Sequence, residues 1–377
     1  MNTHHQTTRK PSILILGGYG RAGTYTARLL LEQRSVSVTL AGRSLGEATA
    51  AAERLQTAFP EASVSGMGLD GNDFERLLAT LPGFDLVIGC MPYRGDATDV
   101  MRAIAASGVD YVDISPAESK TGGVDEGLCR QRGQRIIVDA GAVPGLPLTL
   151  ARFAATHLDR AKTIRIAVQF KEPDLPLAGA YDLVAHVEVP AMIYEKGQWK
   201  RVFSISRLRR INLPHPFSSE WAVPAYMQEL ERFPEIFPVS RLAMYVAGSN
   251  PLASAVLLVW KWFRLARSDQ GIRRGAELFR WLNGRFTRRP HGLAMSLQAV
   301  GTKRAQPVRL TVNMWHPDTY AATAIPLVAT VLQWMDGRLL GSGIQLMGDA
   351  VDPLLFIEQI RQLGMNVDVS VSATPED

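Results

Sequence analysis

Three glycines near the start of the chain have a spacing that can bind a dinucleotide. Gly18, Gly20 and Gly23 fit the pattern G-x-G-x-x-G, between the apolar run Ile13–Leu16 and the apolar-faced segment Thr24–Leu31. In such a turn the glycines permit a tight bend, backbone approach to a pyrophosphate, and close helix–strand packing. The following helix N-terminus offers N–H groups to the phosphates. The predicted cofactor-binding residues of this turn are Gly18, Tyr19, Gly20, Arg21, Ala22 and Gly23. The alternative is a glycine-rich turn that binds nothing.

The end of the second predicted strand favours a phosphorylated cofactor. The strand pattern of Ser35–Arg43 is followed by Ser44, and no acidic residue occurs before Glu47. NAD enzymes usually place Asp or Glu here, whereas an Arg can hold a 2′-phosphate through two hydrogen bonds. We therefore expect Arg43 and Ser44 to contact NADP, with NAD as the other possible cofactor. The alternative for Arg43 is a solvated turn residue.

Three further cofactor candidates follow later strands. Asp70 comes after the predicted strand Ala62–Leu69, where it can accept a hydrogen bond from the adenine or cap the next helix. The next strand leads into a proline-bearing loop, which predicts that Cys90 and Pro92 lie near the cofactor. Cys90 is either a reactive thiol or, in the commoner role of a free cysteine, a small apolar filler.

The alternation of strands and helices defines the expected architecture. Up to about residue 150 it predicts an α/β fold, an N-terminal Rossmann domain with a doubly wound parallel sheet. Later segments predict a second, α+β domain containing a mainly antiparallel sheet. Its expected strands are Thr163–Phe170, Leu183–Glu195, Trp199–Ile205, Leu293–Gly301 and Val308–Trp315. The predicted divisions are 1–150 for cofactor binding, 151–330 for substrate binding and dimerisation, and 331–377 packing back on the Rossmann domain, with 370–377 a loose tail.

Composition sets limits on the class of protein. The 377 residues are 46% hydrophobic and 20% charged, with a net charge of +5 and two cysteines. Such a chain can bury a large core, and so few cysteines favour a reducing compartment. The polar N-terminus has no signal-peptide pattern, so we expect a cytoplasmic location. No histidine pair has metal-ligand spacing and no nucleic-acid motif is present, so neither a metal nor a nucleic-acid partner is expected.

Several segments, taken together and in order, point to one family. They are Gly17–Gly23, Leu40–Arg43, Asp85–Tyr93, Gly108–Ser115, Asp139–Gly145, Tyr320–Ala324, Asp336–Gly337 and Gly341–Gly343. This set resembles the saccharopine dehydrogenase-like oxidoreductases. The resemblance implies hydride transfer with NAD(P), and often a homodimer built through the second domain. It does not imply saccharopine as the substrate, because residues 171–289 align with no known member.

Hydride transfer at a C–N bond needs one group that donates or accepts a proton and another that orients the nitrogen. The predicted catalytic residues are Asp113 and Tyr93, with Tyr111 and Glu118 nearby in sequence. Asp113 can pair with a substrate ammonium or hydrogen-bond the loop that follows it, and Asp139 has the same two possible roles. Tyr93 either stacks against the nicotinamide or forms a wall of the pocket.

The sequence of the second domain does not identify the substrate. A substrate carboxylate would need an arginine there, and the sequence does not rank the candidates Arg201, Arg207, Arg209 and Arg210. The leading hypothesis is an NADP-dependent oxidoreductase acting on a small amine, imine or carbonyl compound. One alternative is a non-catalytic NADP-binding sensor or complex partner. Another is a membrane-surface enzyme for a lipid-like substrate, because residues 251–267 combine Trp260, Trp262 and Phe263 with following arginines. The same segment could equally form a dimer interface or a core helix.

Overall fold

The computed structural model describes residues 9–91, 98–115, 124–203 and 205–373. These residues form two domains. The first comprises the described residues up to Leu146 together with Thr323–Asp352, and the second comprises Pro147–Ala322 together with the described residues from Pro353 onward. Strands and helices are labelled below in chain order.

The first domain contains a seven-stranded sheet. Its strands are β1 (Ser12–Leu16), β2 (Ser37–Gly42), β3 (Ser63–Gly68), β4 (Leu86–Gly89), β5 (Asp110–Asp113), β6 (Arg135–Val138) and β15 (Gly343–Leu346). They are arranged in the order β15-β6-β5-β4-β1-β2-β3. All of these pairs are parallel. Because β2 and β4 lie on opposite sides of β1, the strand order reverses there, and this is where open α/β sheets bind ligands.

Short apolar strands explain why this sheet forms. Ile13–Leu16 and Leu86–Ile88 are almost completely buried, as expected for parallel strands that are covered on both faces. The helices of this domain are α1 (Arg21–Gln33), α2 (Leu45–Ala58), α3 (Phe74–Thr80), α4 (Thr98–Ser107), α5 (Glu126–Gln131) and α12 (Met347–Ala350). The doubly wound Rossmann sheet predicted from the sequence is therefore confirmed.

The second domain is built on a nine-stranded mixed sheet. Its strands are β7 (Arg160–Lys171), β8 (Met192–Glu195), β9 (Gln198–Arg201), β10 (Arg209–Ile211), β11 (Glu220–Ala225), β12 (Arg241–Ala247), β13 (Gly292–Lys303), β14 (Gln306–His316) and β16 (Asn366–Ala373). The main path runs β10-β11-β12-β7-β13-β14-β16, and β8 with β9 forms a hairpin beside β12. Among these strands β7 and β12 are parallel neighbours, and the other pairs are antiparallel.

Helices complete the second domain and join it to the first. They are α6 (Leu146–His157), α7 (Leu177–Ala185), α8 (Phe233–Ile236), α9 (Pro251–Trp262), α10 (Asp269–Phe286), α11 (Thr319–Met335) and α13 (Pro353–Gln362). The chain passes between the domains three times, at the start of α6, after the first turn of α11 and at Asp352–Pro353, so most of α11 belongs to the first domain. Helices α7, α9 and α10 share a small apolar core that includes Ala180, Val256 and Phe279.

Two sequence expectations for the second domain differ from the structure. Leu183–Glu195 was expected to be a single long strand, but Leu177–Ala185 is helical because Ala180 and Val184, one turn apart, both pack into the core with α9 and α10. The expected loose tail begins inside β16, which pairs with β14 from Trp315–Asn366 to Val308–Ala373.

The C-terminal division also differs from the predicted one. Residues 323–352 pack with the Rossmann domain, where β15 pairs with β6. The described residues after 352 instead belong to the second domain, because β16 extends its sheet. The segment predicted to return as one piece to the Rossmann domain is therefore divided between the two.

Candidate functional site

The glycine-rich turn is fixed to the neighbouring strand by two hydrogen bonds. The backbone N–H groups of Gly17 and Gly18 both donate to the carbonyl oxygen of Ala41 in β2, at 2.8 and 3.0 Å. Gly17 has a φ of +76°, a conformation that side chains disfavour. The glycine that permits the bend is therefore Gly17, and not Gly18 as the motif spacing predicts.

Two of the motif glycines are required by close backbone contacts. A Cβ on Gly18 would lie 2.8 Å from the Cα of Leu40, and a Cβ on Gly23 would lie 2.4 Å from the carbonyl oxygen of Gly17. A Cβ on Gly20 would meet only the Gly17 oxygen, at 3.1 Å. The packing of β1, β2 and α1 thus explains Gly18 and Gly23, while Gly20 leaves the turn open on the side where a pyrophosphate would approach.

The N-terminus of α1 suits a bound phosphate. Gly20 caps the helix without a side chain, and the first turn contains no acidic residue. The first amides of a helix lack partners within it, and its dipole end is positive. Because the turn lies between β2 and β4, the helix begins at the switch point of the sheet. The geometry fits the phosphates of a dinucleotide.

Tyr19 connects this turn to the end of β2. Its ring lies against Gly42, where a Cβ would come within 2.2 Å of the Tyr19 Cε1 atom. Its hydroxyl oxygen accepts a hydrogen bond from the backbone N–H of Ser44 at 3.4 Å. Gly42 therefore leaves the space that the Tyr19 ring occupies at the candidate site. The sequence does not predict this role, and its only indication of it is a glycine at the end of a strand.

Arg43 and Ser44 lie beside Tyr19 and are placed to receive a phosphate. Arg43 is exposed and has no ion pair within the described part of the chain. The Ser44 hydroxyl accepts from the backbone N–H of Glu47 at 3.3 Å and so caps α2. A hydroxyl that accepts one hydrogen bond can still donate its own proton. The pair can therefore offer a guanidinium and an O–H to one anionic group.

Asp70 forms a local turn after β3. Its Oδ1 accepts from the backbone N–H of Asn72 at 3.0 Å and from the Asn72 side-chain amide at 3.2 Å. The cap of α3 is instead Asp73, which accepts from the N–H of Arg76 at 3.1 Å. The helix-cap alternative for Asp70 is therefore wrong, and its contact with adenine stays a prediction.

Cys90 packs beneath α1. It is 7% exposed, and its Sγ lies 3.8 Å from the hydroxyl oxygen of buried Thr26. Its backbone N–H donates to Leu16 in β1. These contacts match the apolar-filler alternative rather than that of a reactive thiol. The predicted site residues Pro92 and Tyr93, with Glu118, lie outside the described residues.

Asp113 is completely buried at the end of β5. One carboxylate oxygen accepts from the Tyr111 hydroxyl, and the other accepts from the backbone N–H of Ser115 at 2.7 Å. The Tyr111–Asp113 pair lies over Gly89, where a Cβ would overlap both groups. Of the two roles that the sequence left open, this geometry matches the loop-bonding one, since no part of Asp113 is exposed to a substrate.

The Asp139 loop is bonded to the same region. The N–H of Ala140 donates to the carbonyl oxygen of Asp113 at 2.8 Å, and that of Asp139 donates to Ser115 at 3.3 Å. Asp139 is 4% exposed and has a φ of +57°, an uncommon conformation for a non-glycine residue. These bonds hold the ends of β5 and β6 together.

Comparison with known proteins supports the cofactor site. Residues 13–130 match the family model described as the saccharopine dehydrogenase NADP binding domain. This match spans β1 to α5 and includes the glycine turn, Arg43 and Asp113. The described residues contain no group of three or more His, Cys, Asp or Glu arranged to hold a metal ion.

The whole chain has the fold of a solved saccharopine dehydrogenase. The L-Glu-forming enzyme of Saccharomyces cerevisiae is 13% identical, with a TM-score of 0.69 over 96% of this chain and 100% of that one. A myo-inositol dehydrogenase from Corynebacterium glutamicum is 12% identical, with a TM-score of 0.45 over 94% of each chain. At such identities the first likeness shows the fold alone. Residues 13–130 are therefore similar to the NADP-binding domain of saccharopine dehydrogenases, as the motifs predict, and the chain shares its fold with the yeast enzyme.

Substitution of Gly23 tests its close contact with the Gly17 carbonyl oxygen. Gly23→Ala places a Cβ against the Gly17 carbonyl, and overpacking of this kind costs about 1–3 kcal/mol. We expect a lower melting temperature and at least about ten-fold weaker NADPH binding, since displacing the turn removes charge-assisted hydrogen bonds to the phosphates. Gly46→Ala is the control, because a Cβ there meets nothing within 4 Å. Wild-type NADPH affinity in Gly23→Ala would contradict the contact.

Substitution of Asp113 tests whether its carboxylate stabilises the loop after β5. Asp113→Asn replaces one accepting oxygen by an amide that faces a donor, which costs about 1–3 kcal/mol. Thermal unfolding should show this loss, with Tyr111→Phe, which removes one donor, losing less. An Asp113→Asn protein with an unchanged melting temperature would show that the carboxylate does not brace the loop.

Proposed function

We propose that the protein transfers a hydride between NADP(H) and a small amine, imine or carbonyl substrate. The observation that carries this proposal is the glycine turn of a matched NADP-binding domain, closed against β2 and open at Gly20. The cofactor would supply the hydride chemistry. The chain would hold the pyrophosphate at Gly18–Gly23 and exclude water from the nucleotide through Tyr19.

The preference for NADP over NAD rests on the end of β2. Arg43 is exposed beside the Ser44 hydroxyl, and the segment offers no carboxylate to a ribose. An arginine binds a phosphate through two parallel charge-assisted hydrogen bonds. Asp70 would contact the adenine. Tyr93 is the sequence-predicted residue that would contact the substrate, since Asp113 is occupied within the domain.

The test measures both cofactor choice and turnover. The wild type should oxidise NADPH in the presence of a keto acid and an amine, or of a carbonyl substrate from a mixed panel. Arg43→Asp should weaken NADPH binding by about ten- to a hundred-fold, the effect of losing charged hydrogen bonds, and leave NADH binding unchanged. Arg28→Asp, on the exposed face of α1, is the control.

Two results would contradict the proposal. Tight NADH binding that Arg43→Asp does not change, with no preference for NADPH, would exclude the phosphate role. NADPH binding without turnover over the whole panel would favour the non-catalytic sensor.

A second candidate function, at a membrane surface, is favoured by the exposed face of α9. Its outward residues include Leu252, Val259 and Trp262, spaced at helical intervals, and Trp262 is 76% exposed. Phe263 follows with 68% exposure, and Trp281 on α10 has 62%. Exposed aromatic residues in such number are unusual for a surface that contacts only water.

The two helices carry this surface as one rigid unit. Trp260 donates from its indole N–H to the Gly271 carbonyl oxygen at 2.8 Å, and the Asn250 amide donates to the Thr287 hydroxyl at 3.0 Å. These bonds join opposite ends of an antiparallel pair. Burial lowers the pKa of Lys261, which donates to the carbonyl oxygen of Val189 at 3.1 Å and is thus tied to the domain.

Charge identifies the kind of surface that would be bound. Residues 251–289 contain nine Lys or Arg and two Asp or Glu, a larger positive surplus than that of the whole chain. One of the acids, Glu277, is paired with Arg273 at 3.3 Å. Aromatic side chains next to many arginines suit the interface of an anionic bilayer, where rings enter the headgroup region and cations meet lipid phosphates. None of the described helices is both long enough and apolar enough to cross a membrane.

Vesicle flotation tests this candidate. The protein should float with phosphatidylserine–phosphatidylcholine vesicles, and much less with phosphatidylcholine alone. Trp262→Ala with Trp281→Ala should weaken binding by at least about ten-fold, because burying a large apolar side chain stabilises the bound state by about 1.5–3 kcal/mol. Trp221→Ala is the matched control, since Trp221 is also 62% exposed but lies on β11. Equal flotation of the double variant, or none of the wild type, would exclude the membrane role.

A further inference from the structure

The second domain contains a basic pocket of about 310 Å³. It is lined by residues of β7, β10 and β13, together with Asn212. The side chains that carry its chemistry are Arg165, Arg209, Arg210, Ser296 and Gln298. A volume near 300 Å³ is at the lower end for small-molecule sites.

Strand register explains why these residues meet. Arg165 on β7 is directly opposite Gln298 on β13, and Ala167 is opposite Ser296. Because side chains alternate across a sheet, Arg165 and Ala167 share a face, as do Ser296 and Gln298. Small Ala167 leaves room between its larger neighbours.

The positive charge in the pocket has no carboxylate partner. Within the described residues, Arg165, Arg209 and Arg210 make no ion pair. Partial burial, and then the charges of Arg209 and Arg241, lower the pKa of the Arg165 guanidinium, with Tyr245 acting in the opposite direction. Arginine remains protonated even so. Like charges are therefore gathered at a half-buried position, an arrangement that costs free energy unless an anion compensates it.

Buried donors without partners point to the same occupant. The hydroxyl of Ser296 is buried and has no hydrogen-bond partner, although the residue is only 3% exposed. Next to Arg165, the Nη2 of Arg241 is also buried and unpartnered, while its Nη1 lies 3.8 Å from a carboxylate oxygen of Glu195. Buried polar atoms are rarely left unsatisfied unless a ligand or water completes the site.

We propose that this pocket binds the oxyanion of a small ligand, a carboxylate or a phosphate, through Arg165, Arg209 and the Ser296 hydroxyl. The guanidinium groups provide charge and paired donors, Ser296 donates from the floor, and the Gln298 amide donates from the side. Arg210, which is exposed, adds charge at the rim. The site belongs to the second domain alone, so it stands independently of the proposed hydride transfer.

Anion titration tests the proposal. Calorimetry would follow inorganic phosphate, glutarate and acetate separately, with saturating NADP⁺ present so that added phosphate does not compete for the nucleotide site. The wild type should bind phosphate or glutarate at millimolar or lower concentration, and the tighter one identifies the ligand class. Arg165→Gln should weaken binding by about ten- to a hundred-fold, and Ser296→Ala by a few-fold. Arg207→Gln, an exposed arginine outside the lining, is the matched control.

Thermal unfolding separates a binding role from a structural one. Without anion, Arg165→Gln should melt at the wild-type temperature or above it, because an uncompensated charge has been removed. The anion should stabilise the wild type and not this variant. The proposal is overturned if no anion binds the wild type, or if Arg165→Gln binds with wild-type affinity. It is also overturned if Arg165→Gln destabilises the fold or dissociates a dimer while no anion binds, since the charge would then serve a protein contact.

Discussion

The first domain depends on the contact between the glycine turn and its neighbouring strand. The N–H groups of Gly17 and Gly18 share the Ala41 carbonyl oxygen, and Gly23 lies against the Gly17 carbonyl. Any side chain at Gly18 or Gly23 would separate α1 from the sheet. This packing also aims the helix N-terminus at the switch point of the sheet, so a single backbone contact determines both the fold of β1–α1–β2 and its ability to hold phosphates.

The polar groups near that turn divide into two sets. Asp113 and Cys90 are buried and bonded within the domain, so they hold the loops in place. Arg43 and the N-terminus of α1 face outward and have capacity for an anion. The outward-facing positive groups are complementary to a phosphate and so indicate the cofactor. The Asp113 carboxylate is bonded within the domain, so it stabilises a loop and gives no information about the substrate.

The sequence predicts local features well and long-range ones poorly. The parallel strands of the first domain are recognisable because each is a short apolar run followed by a turn. The motif spacing predicts the bend at Gly18 rather than at Gly17, because the spacing of glycines carries no information about which of them has a positive φ. The sequence predicts a strand from Leu183, because over a few residues the apolar positions of a buried helix can look like the alternating pattern of a strand. The sequence predicts Arg209 and Arg210 only as unranked candidates for a carboxylate. It cannot place them in a pocket with Arg165 and Ser296, which become neighbours only through the pairing of β7 with β13.

In this interpretation, the turn at Gly17–Gly23 and the end of β2 bind the phosphates of NADP. Amide hydrogen exchange, measured with and without NADPH, tests it most directly because it needs no substrate and no variant. We expect slower exchange on NADPH binding at residues 18–24 and 43–47, with NADH protecting the first segment more than the second. Protection confined to other segments, or no change in either, would contradict this account.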